Sequence, residues 1–80
     1  DAACWRIVDF KTSASVPASI ADADPAHILQ LALYRRLLME MDAGAAVEAT
    51  LIWTAGPKAM PVPAEFMDAA LAKLGVRAAA

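Results

Sequence analysis

Asp9 and Lys11 are the residues of this sequence whose types and spacing are best suited to chemistry. They lie in the run Trp-Arg-Ile-Val-Asp-Phe-Lys-Thr at positions 5–12, which is β-branched and aromatic until it meets a segment rich in Ser, Thr and Pro, as is typical of the end of a strand. Because side chains alternate along a strand, the two charged groups share one face, with their Cα atoms roughly 6–7 Å apart. A carboxylate and an ammonium at this spacing can act on one small reacting group, with a metal ion and a water between them.

The same two residues also have a simpler interpretation. A carboxylate and an amine two positions apart at a strand end can form a surface ion pair worth only roughly 0–1 kcal/mol, and Asp-x-Lys occurs often by chance. Whether Asp9 and Lys11 form a reactive site or only a surface ion pair therefore depends on where the surrounding strands and helices place them.

Composition limits the class of protein. The chain has 80 residues, enough for one small domain, and it is 60% hydrophobic with 21 alanines and a mean hydropathy of +0.48. Since this is more apolar surface than so short a chain easily buries, and the first residue is Asp1, we expect a piece of a larger protein, with self-association of the piece as a further possibility. The net charge is −2 without a basic run, which gives no electrostatic support for nucleic-acid binding by this segment alone.

The sequence also limits the covalent chemistry of the chain and its cellular location. Cys4 is the only cysteine, which excludes an internal disulfide and a multi-cysteine zinc site. The longest apolar region, residues 28–41, is interrupted by Gln, Arg and Glu, so we expect no membrane span and a cytoplasmic location. The alanine-rich tail at 77–80 is expected to fray, leaving residues 1–76 as the structured unit.

The elements alternate between strand and helix. A strand, a helix and a second strand at this spacing form a βαβ unit, whose two strands are parallel. Asp24 followed by Pro25 is a helix-start signal, and Gly44 and Gly75 are stop signals. The sequence thus predicts an α/β fold with a small mixed sheet, built from a strand at Arg6–Lys11, a helix at Pro25–Met41, a strand at Val47–Trp53, a short antiparallel edge strand at Ala59–Val62 and a helix from Pro63 or Ala64 to Leu74.

The first helix carries two polar residues, Gln30 and Tyr34, inside its apolar stripe. They lie four residues apart, so they stack on the same side of the helix. If the stripe faces the core, Gln30 either satisfies backbone groups or faces a polar site. Because reactive groups in open α/β sheets lie at the carboxyl ends of parallel strands, we expect both residues close to the strand-end pair. The apolar stripe consists of Leu31, Leu33, Leu37, Leu38 and Met41.

These motifs together resemble a known family. Ile-Val-Asp-Phe-Lys-Thr at 7–12, followed by Gln-Leu-Ala-Leu-Tyr at 30–34, resembles the Asp-x-Lys-Thr and Gln-x-x-x-Tyr motifs of RecB-like nucleases in the PD-(D/E)xK superfamily. The segment Leu-Ile-Trp-Thr-Ala-Gly-Pro-Lys-Ala-Met at 51–60 is similar to the end of the nuclease domain in AddA-type helicase-nucleases of double-strand-break repair. The resemblance covers residues 5–74 and implies a partial restriction-endonuclease-like fold.

The resemblance implies roles for the strand-end residues. Asp9 would be a ligand of a catalytic magnesium ion, together with the backbone carbonyl of Phe10. Lys11 would orient the attacking water or stabilise charge on the phosphate. Magnesium prefers oxygen ligands and keeps positions for water, and a nearby ammonium offsets developing negative charge.

The resemblance also implies roles outside the metal site. Gln30 and Tyr34 would support the site or contact DNA, and Thr12 would hold the loop or contact the DNA backbone. The implied partners are DNA and the second subunit of a helicase-nuclease complex, and ATP would bind only in a helicase region, since no glycine-rich phosphate loop occurs here. The family's upstream acidic ligand and helical His or Glu have no counterpart in these residues, so the segment alone is expected to lack nuclease activity.

Two other functions are compatible with the sequence. A nuclease-like fold without catalysis would serve protein contacts or guide DNA, and the excess of apolar residues would suit that function. An unrelated small βαβ interaction domain would use the same elements without any of the implied chemistry.

Overall fold

Two helices pack on one face of a three-stranded mixed sheet in the computed structural model of the chain, which describes residues 4–75. The α/β class and the predicted order of elements are confirmed, and each strand begins one or two residues before its predicted start. The tail at 77–80 lies outside the described residues. The elements are strand β1 (Cys4–Lys11), a short 3₁₀ helix (Ile20–Asp22), helix α1 (Pro25–Met41), strand β2 (Ala46–Trp53), strand β3 (Lys58–Val62) and helix α2 (Ala64–Leu74).

Helix α1 has the predicted bounds because local signals fix both ends. The Asp24 carboxylate accepts a 2.9 Å hydrogen bond from the backbone nitrogen of Ala26, and Pro25 occupies the first turn, where its missing N–H needs no partner. Two residues after the C-cap, Gly44 has φ +85°, a conformation that glycine adopts without strain. The chain therefore leaves α1 in a tight turn and enters β2.

The sheet has the order β1-β2-β3, with β2 in the centre. β1 and β2 are parallel and in register along their whole length, with Lys11 opposite Trp53, while β3 runs antiparallel to β2. The predicted βαβ crossover and the predicted antiparallel strand are both confirmed. Within residues 4–75, β1 has a strand on only one side, so its outer edge is unpaired.

The core lies between the helices and one face of the sheet. Trp53 is 2% exposed at its centre, and burial alternates along β2 because successive side chains point to opposite faces. The other face is uncovered within the described residues, leaving Val8 46% and Phe10 63% exposed. No helix in residues 4–75 has the length and apolar character needed to cross a bilayer. The main core residues are Ile28, Leu31, Ala49, Leu51, Met60, Val62, Met67 and Leu71.

Helix α1 faces the core with a different side from the predicted one. Leu31 is fully buried as expected, but Leu37 is 54% and Met41 80% exposed. The prediction is wrong because large apolar residues surround most of the helix, so periodicity alone selects no single side. The packing of α1 against α2 selects it, with Arg35 Nη1 2.9 Å from Asp68 on α2.

Candidate active site

Asp9 and Lys11 form an ion pair at the carboxyl end of β1. Lys11 Nζ lies 2.7 Å from Asp9 Oδ2, and the two side chains are 16% and 28% exposed, respectively. Both residues are half-buried and have the same strand parity as Ile7, which packs against the core on the helix-covered face. The predicted juxtaposition on one face is thus confirmed, whereas the catalytic roles stay predictions.

The Asp9 carboxylate has an oxygen without a hydrogen-bond donor. Oδ2 is buried, and the Lys11 contact meets the distance of an ion pair but not the geometry of a hydrogen bond. Within residues 4–75 no other group donates to this oxygen. A buried carboxylate oxygen normally finds a donor or a cation, because leaving it without either is unfavourable. The Lys11 ammonium supplies that cation, so the charge of the Asp9 carboxylate is compensated within the pair.

Thr54 fixes the end of β1 and was not singled out by the sequence. The Lys11 carbonyl accepts a 3.0 Å hydrogen bond from the Thr54 backbone nitrogen and a 3.3 Å bond from its hydroxyl. Thr54 directly follows Trp53, the register partner of Lys11. No local signal in the sequence identifies this contact, because Thr54 and Lys11 meet only after the crossover brings the two strand ends together.

The Phe10 carbonyl points away from β2. Successive carbonyls along a strand alternate in direction, and the neighbouring Lys11 carbonyl is directed at β2 by its bonds to Thr54. The Phe10 oxygen therefore lies on the outer edge of β1, next in the chain to Asp9. The resemblance predicts this carbonyl as a magnesium ligand.

The loop that follows β1 is held in place near the pair. Lys58, at the start of β3, donates to the carbonyls of Pro17 at 3.5 Å and Ala18 at 3.2 Å. Val16 and Ile20 pack against the core from the same loop. Thr12 itself is exposed at the start of this loop, so it is accessible for the predicted contact with DNA.

Gln30 and Tyr34 lie on the exposed side of α1, contrary to the predicted core-facing position. Gln30 Nε2 donates to the Tyr34 hydroxyl at 3.5 Å, which confirms that the two side chains are neighbours, and Tyr34 is 49% exposed. Within residues 4–75 neither side chain forms a hydrogen bond with Asp9 or Lys11. They belong to the surface of α1 rather than to the strand-end pair.

The described residues supply part of a magnesium site. Magnesium takes oxygen ligands, commonly one or two carboxylates together with waters. Asp9 offers one carboxylate and Phe10 one outward carbonyl, but residues 4–75 contain no group of three or more Asp, Glu, His or Cys side chains suited to a metal. The donor set fits magnesium in type and is incomplete in number.

An apolar groove is separate from the strand-end pair. It has a volume of about 630 Å³ and lies between the 3₁₀ helix, the start of α1 and one side of α2, with Ile20, Ile28, Phe66 and Leu74 in its lining. Asp9 and Lys11 do not line it. The pair therefore sits at a sheet edge, outside this concavity.

Comparison of the chain with protein-family models, with curated proteins and with solved structures gives no match. Function has to be inferred from the residues and their geometry.

Proposed function

We propose that the chain is the carboxyl-terminal part of a magnesium-dependent DNA nuclease domain of the RecB-like type, with a restriction-endonuclease-like fold. It would hydrolyse phosphodiester bonds in DNA delivered by a linked ATP-dependent helicase during double-strand-break repair. The observation that supports this proposal is the half-buried pair of Asp9 and Lys11, 2.7 Å apart at the carboxyl end of a parallel strand. The Asp-x-Lys-Thr and Gln-x-x-x-Tyr motifs add to it.

The proposed roles follow from the chemistry of each group. Asp9, through its carboxylate, and Phe10, through its outward carbonyl, would hold magnesium together with donors outside the described residues. When bound, the metal supplies charge neutralisation and an acidified water. Lys11 keeps its ammonium at the carboxyl end of β1, where it can stabilise negative charge on a phosphate. Thr54 holds the Lys11 backbone in that position.

The unpaired edge of β1 supports the proposal that these residues are only part of a nuclease domain. In the proposed nuclease another strand pairs there and brings the missing acidic ligand beside Asp9. The uncovered sheet face, with Val8 and Phe10 exposed, would be covered by the same additional segment. Burial of this surface would then contribute roughly 25 cal/mol for each Å² of apolar area removed from water.

Contacts with DNA fall to the exposed groups near the strand end and on α1. Thr12 is exposed beside the pair, and Gln30 and Tyr34 present a hydrogen-bonded amide and hydroxyl on the surface. Since the segment carries a net charge of −2, most phosphate contacts would come from the rest of the complex. The proposed location is the cytoplasm, with a second helicase-nuclease subunit as partner.

A non-catalytic nuclease-like module is the second candidate. The observation in its favour is the exposed apolar surface, on which Leu37 is 54%, Phe10 63% and Met41 80% exposed. Surface of this kind suits protein contacts. In such a module the Lys11 ammonium serves only to neutralise Asp9.

Degradation of linear DNA tests the proposal, using the longer natural chain that carries these residues and its partner. Asp9→Asn and Lys11→Met keep side-chain size and remove charge. Each is expected to reduce magnesium-dependent cleavage by at least about 100-fold while DNA-dependent ATP hydrolysis continues. Asp68→Asn is the matched control, because it removes the carboxylate of another ion pair, 2.9 Å from Arg35, and should leave cleavage unchanged.

Binding of Mn²⁺, followed by calorimetry on the same proteins, gives a readout other than cleavage. Asp9→Asn should lose metal binding, whereas Lys11→Met should retain it. Unchanged cleavage in both variants would show that the pair is structural and the nuclease proposal wrong. If the unmodified longer chain neither binds the metal nor degrades DNA, the result would favour the second candidate, a non-catalytic nuclease-like module.

A further inference from the structure

The unpaired edge of β1 and the exposed apolar side of α1 can be covered together by a second copy of the chain. We infer that the 80-residue chain forms a two-fold symmetric dimer in which the two β1 strands pair antiparallel and the two α1 helices pack side by side. This inference does not rest on the proposed nuclease function. A longer chain with another strand on the same edge could not form this dimer.

The edge of β1 is suited to pairing along its whole length. The strand has eight residues and contains no proline. Since the Lys11 carbonyl points to β2, the backbone groups of Arg6, Val8 and Phe10 point outward. Asp9 and Lys11 neutralise each other, so the edge lacks the unpaired charges that usually prevent strand addition.

Helix α1 is placed so that the same symmetry operation covers its apolar side. It packs on both β1 and β2, and strands in a sheet are about 4.8 Å apart. A two-fold axis perpendicular to the sheet, midway between the paired β1 strands, therefore puts the two α1 axes about 9–10 Å apart, within the range for packed helices. The helices are then antiparallel, on one face of a continuous sheet.

The exposed residues of α1 lie where this contact would form. Tyr34 is 49%, Leu37 54% and Met41 80% exposed, and they occupy the side of α1 away from Arg35, which pairs with α2. One operation thus satisfies the free backbone edge and buries the apolar side chains. A single added peptide strand would cover the edge but leave this side of α1 in water, which favours a second copy as the occupant.

The side chains of β1 favour a register with Val8 on the two-fold axis. Antiparallel partners share a sheet face, so Arg6 then lies opposite Phe10 of the second copy, and Trp5 lies opposite its Lys11. Both pairs place a cation beside an aromatic ring, one on each face of the sheet. This register puts no two like charges of β1 directly opposite each other.

Sedimentation equilibrium over a wide concentration range tests the dimer. The unmodified chain should fit a monomer–dimer equilibrium. Leu37→Lys should raise the dimer dissociation constant at least about tenfold, because it places two lysines at the helix contact. Leu74→Lys is the matched control: Leu74 is 55% exposed against 54% for Leu37 but lies on α2, and its substitution should change the constant less than about twofold. A chain that is monomeric throughout, or equal effects of both substitutions, would overturn the inference.

Disulfide cross-linking tests the register, in a Cys4→Ser background that removes the exposed native thiol. Val8→Cys should cross-link under mild oxidation, since residues paired on the axis have Cα atoms about 5.5 Å apart. Phe10→Cys, on the same strand face, should not, because its Cα lies about 14 Å from its symmetry mate. Equal cross-linking of both, or of neither, contradicts this pairing of β1.

Discussion

Thr54 holds the Lys11 carbonyl with two hydrogen bonds, at 3.0 Å from its backbone nitrogen and 3.3 Å from its hydroxyl. This relationship joins the ends of the two parallel strands, and it fixes the backbone from which the Lys11 side chain reaches Asp9. Local sequence does not specify it, because the two residues belong to different strands and meet only after the crossover through α1.

Replacing Thr54 by Val removes the hydroxyl and keeps the backbone bond. The free energy of unfolding should fall by about 0.5–1 kcal/mol, the low end for a lost hydrogen bond, since Thr54 is exposed and water partly replaces the hydroxyl. Urea unfolding followed by circular dichroism measures it. Thr12→Val is the control: Thr12 is also exposed at a strand end and its change should have a smaller effect. Equal losses would mean that the Thr54 hydroxyl does not hold β1.

The Asp9–Lys11 pair should show a measurable coupling energy in a double-mutant cycle. Because both side chains are largely shielded from water, their attraction is less screened than that of an exposed pair. Asp9→Ala and Lys11→Ala, singly and together, should give a coupling of about 1 kcal/mol in urea unfolding, near the upper end for surface ion pairs.

Arg6 and Glu48 provide the reference pair for that cycle. Their closest charged atoms are 3.8 Å apart, and their side chains are 78% and 61% exposed, so the same cycle should give no measurable coupling. If the two cycles give equal values, the burial of the Asp9–Lys11 pair has no energetic consequence.

The features that the sequence predicts most accurately are those that depend on residues close to one another in the chain. Asp24 and Pro25 specify the start of α1, and the strict alternation of side chains along β1 specifies that Asp9 and Lys11 share a face. The position of Gln30 depends instead on how α1 is rotated about its axis. A helix with large apolar residues on most sides offers several rotations of similar apolar burial, and its packing against α2 and the sheet determines which is adopted.

Lys58 shows the same limit for the candidate site. Its ammonium bonds the carbonyls of Pro17 and Ala18, but nothing near Lys58 in the sequence indicates a contact with a loop so far upstream. The placement of residues within one strand was therefore predictable from side-chain alternation. The contacts of residues that reach another element, such as Lys58, could be identified only from the structure.

Gly75 should resist substitution, because it ends α2 in the left-handed conformation with φ +85°. Gly75→Ala is expected to lower the free energy of unfolding by about 1–2 kcal/mol, the strain of an L-residue there, although the added carbon meets no atom within 4 Å. Gly56→Ala is the control. Its backbone does not have positive φ and its added carbon would lie 3.7 Å from Val16, an ordinary contact, so stability should change little. Thermal unfolding separates the two, and equal effects would argue against the left-handed cap.

Leu31 and Leu37 test the rotation of α1 with one residue type on one helix. Leu31 is 0% exposed, so Leu31→Ala should create a cavity and lower the free energy of unfolding by about 2–5 kcal/mol. Leu37 is 54% exposed, so Leu37→Ala should change it by no more than about 0.5 kcal/mol. Urea unfolding should be done at concentrations where the chain is monomeric, because dimerisation through α1 would add a contribution from Leu37. A loss at Leu37 as large as that at Leu31 would mean that the helix packs with the side that its apolar periodicity favours.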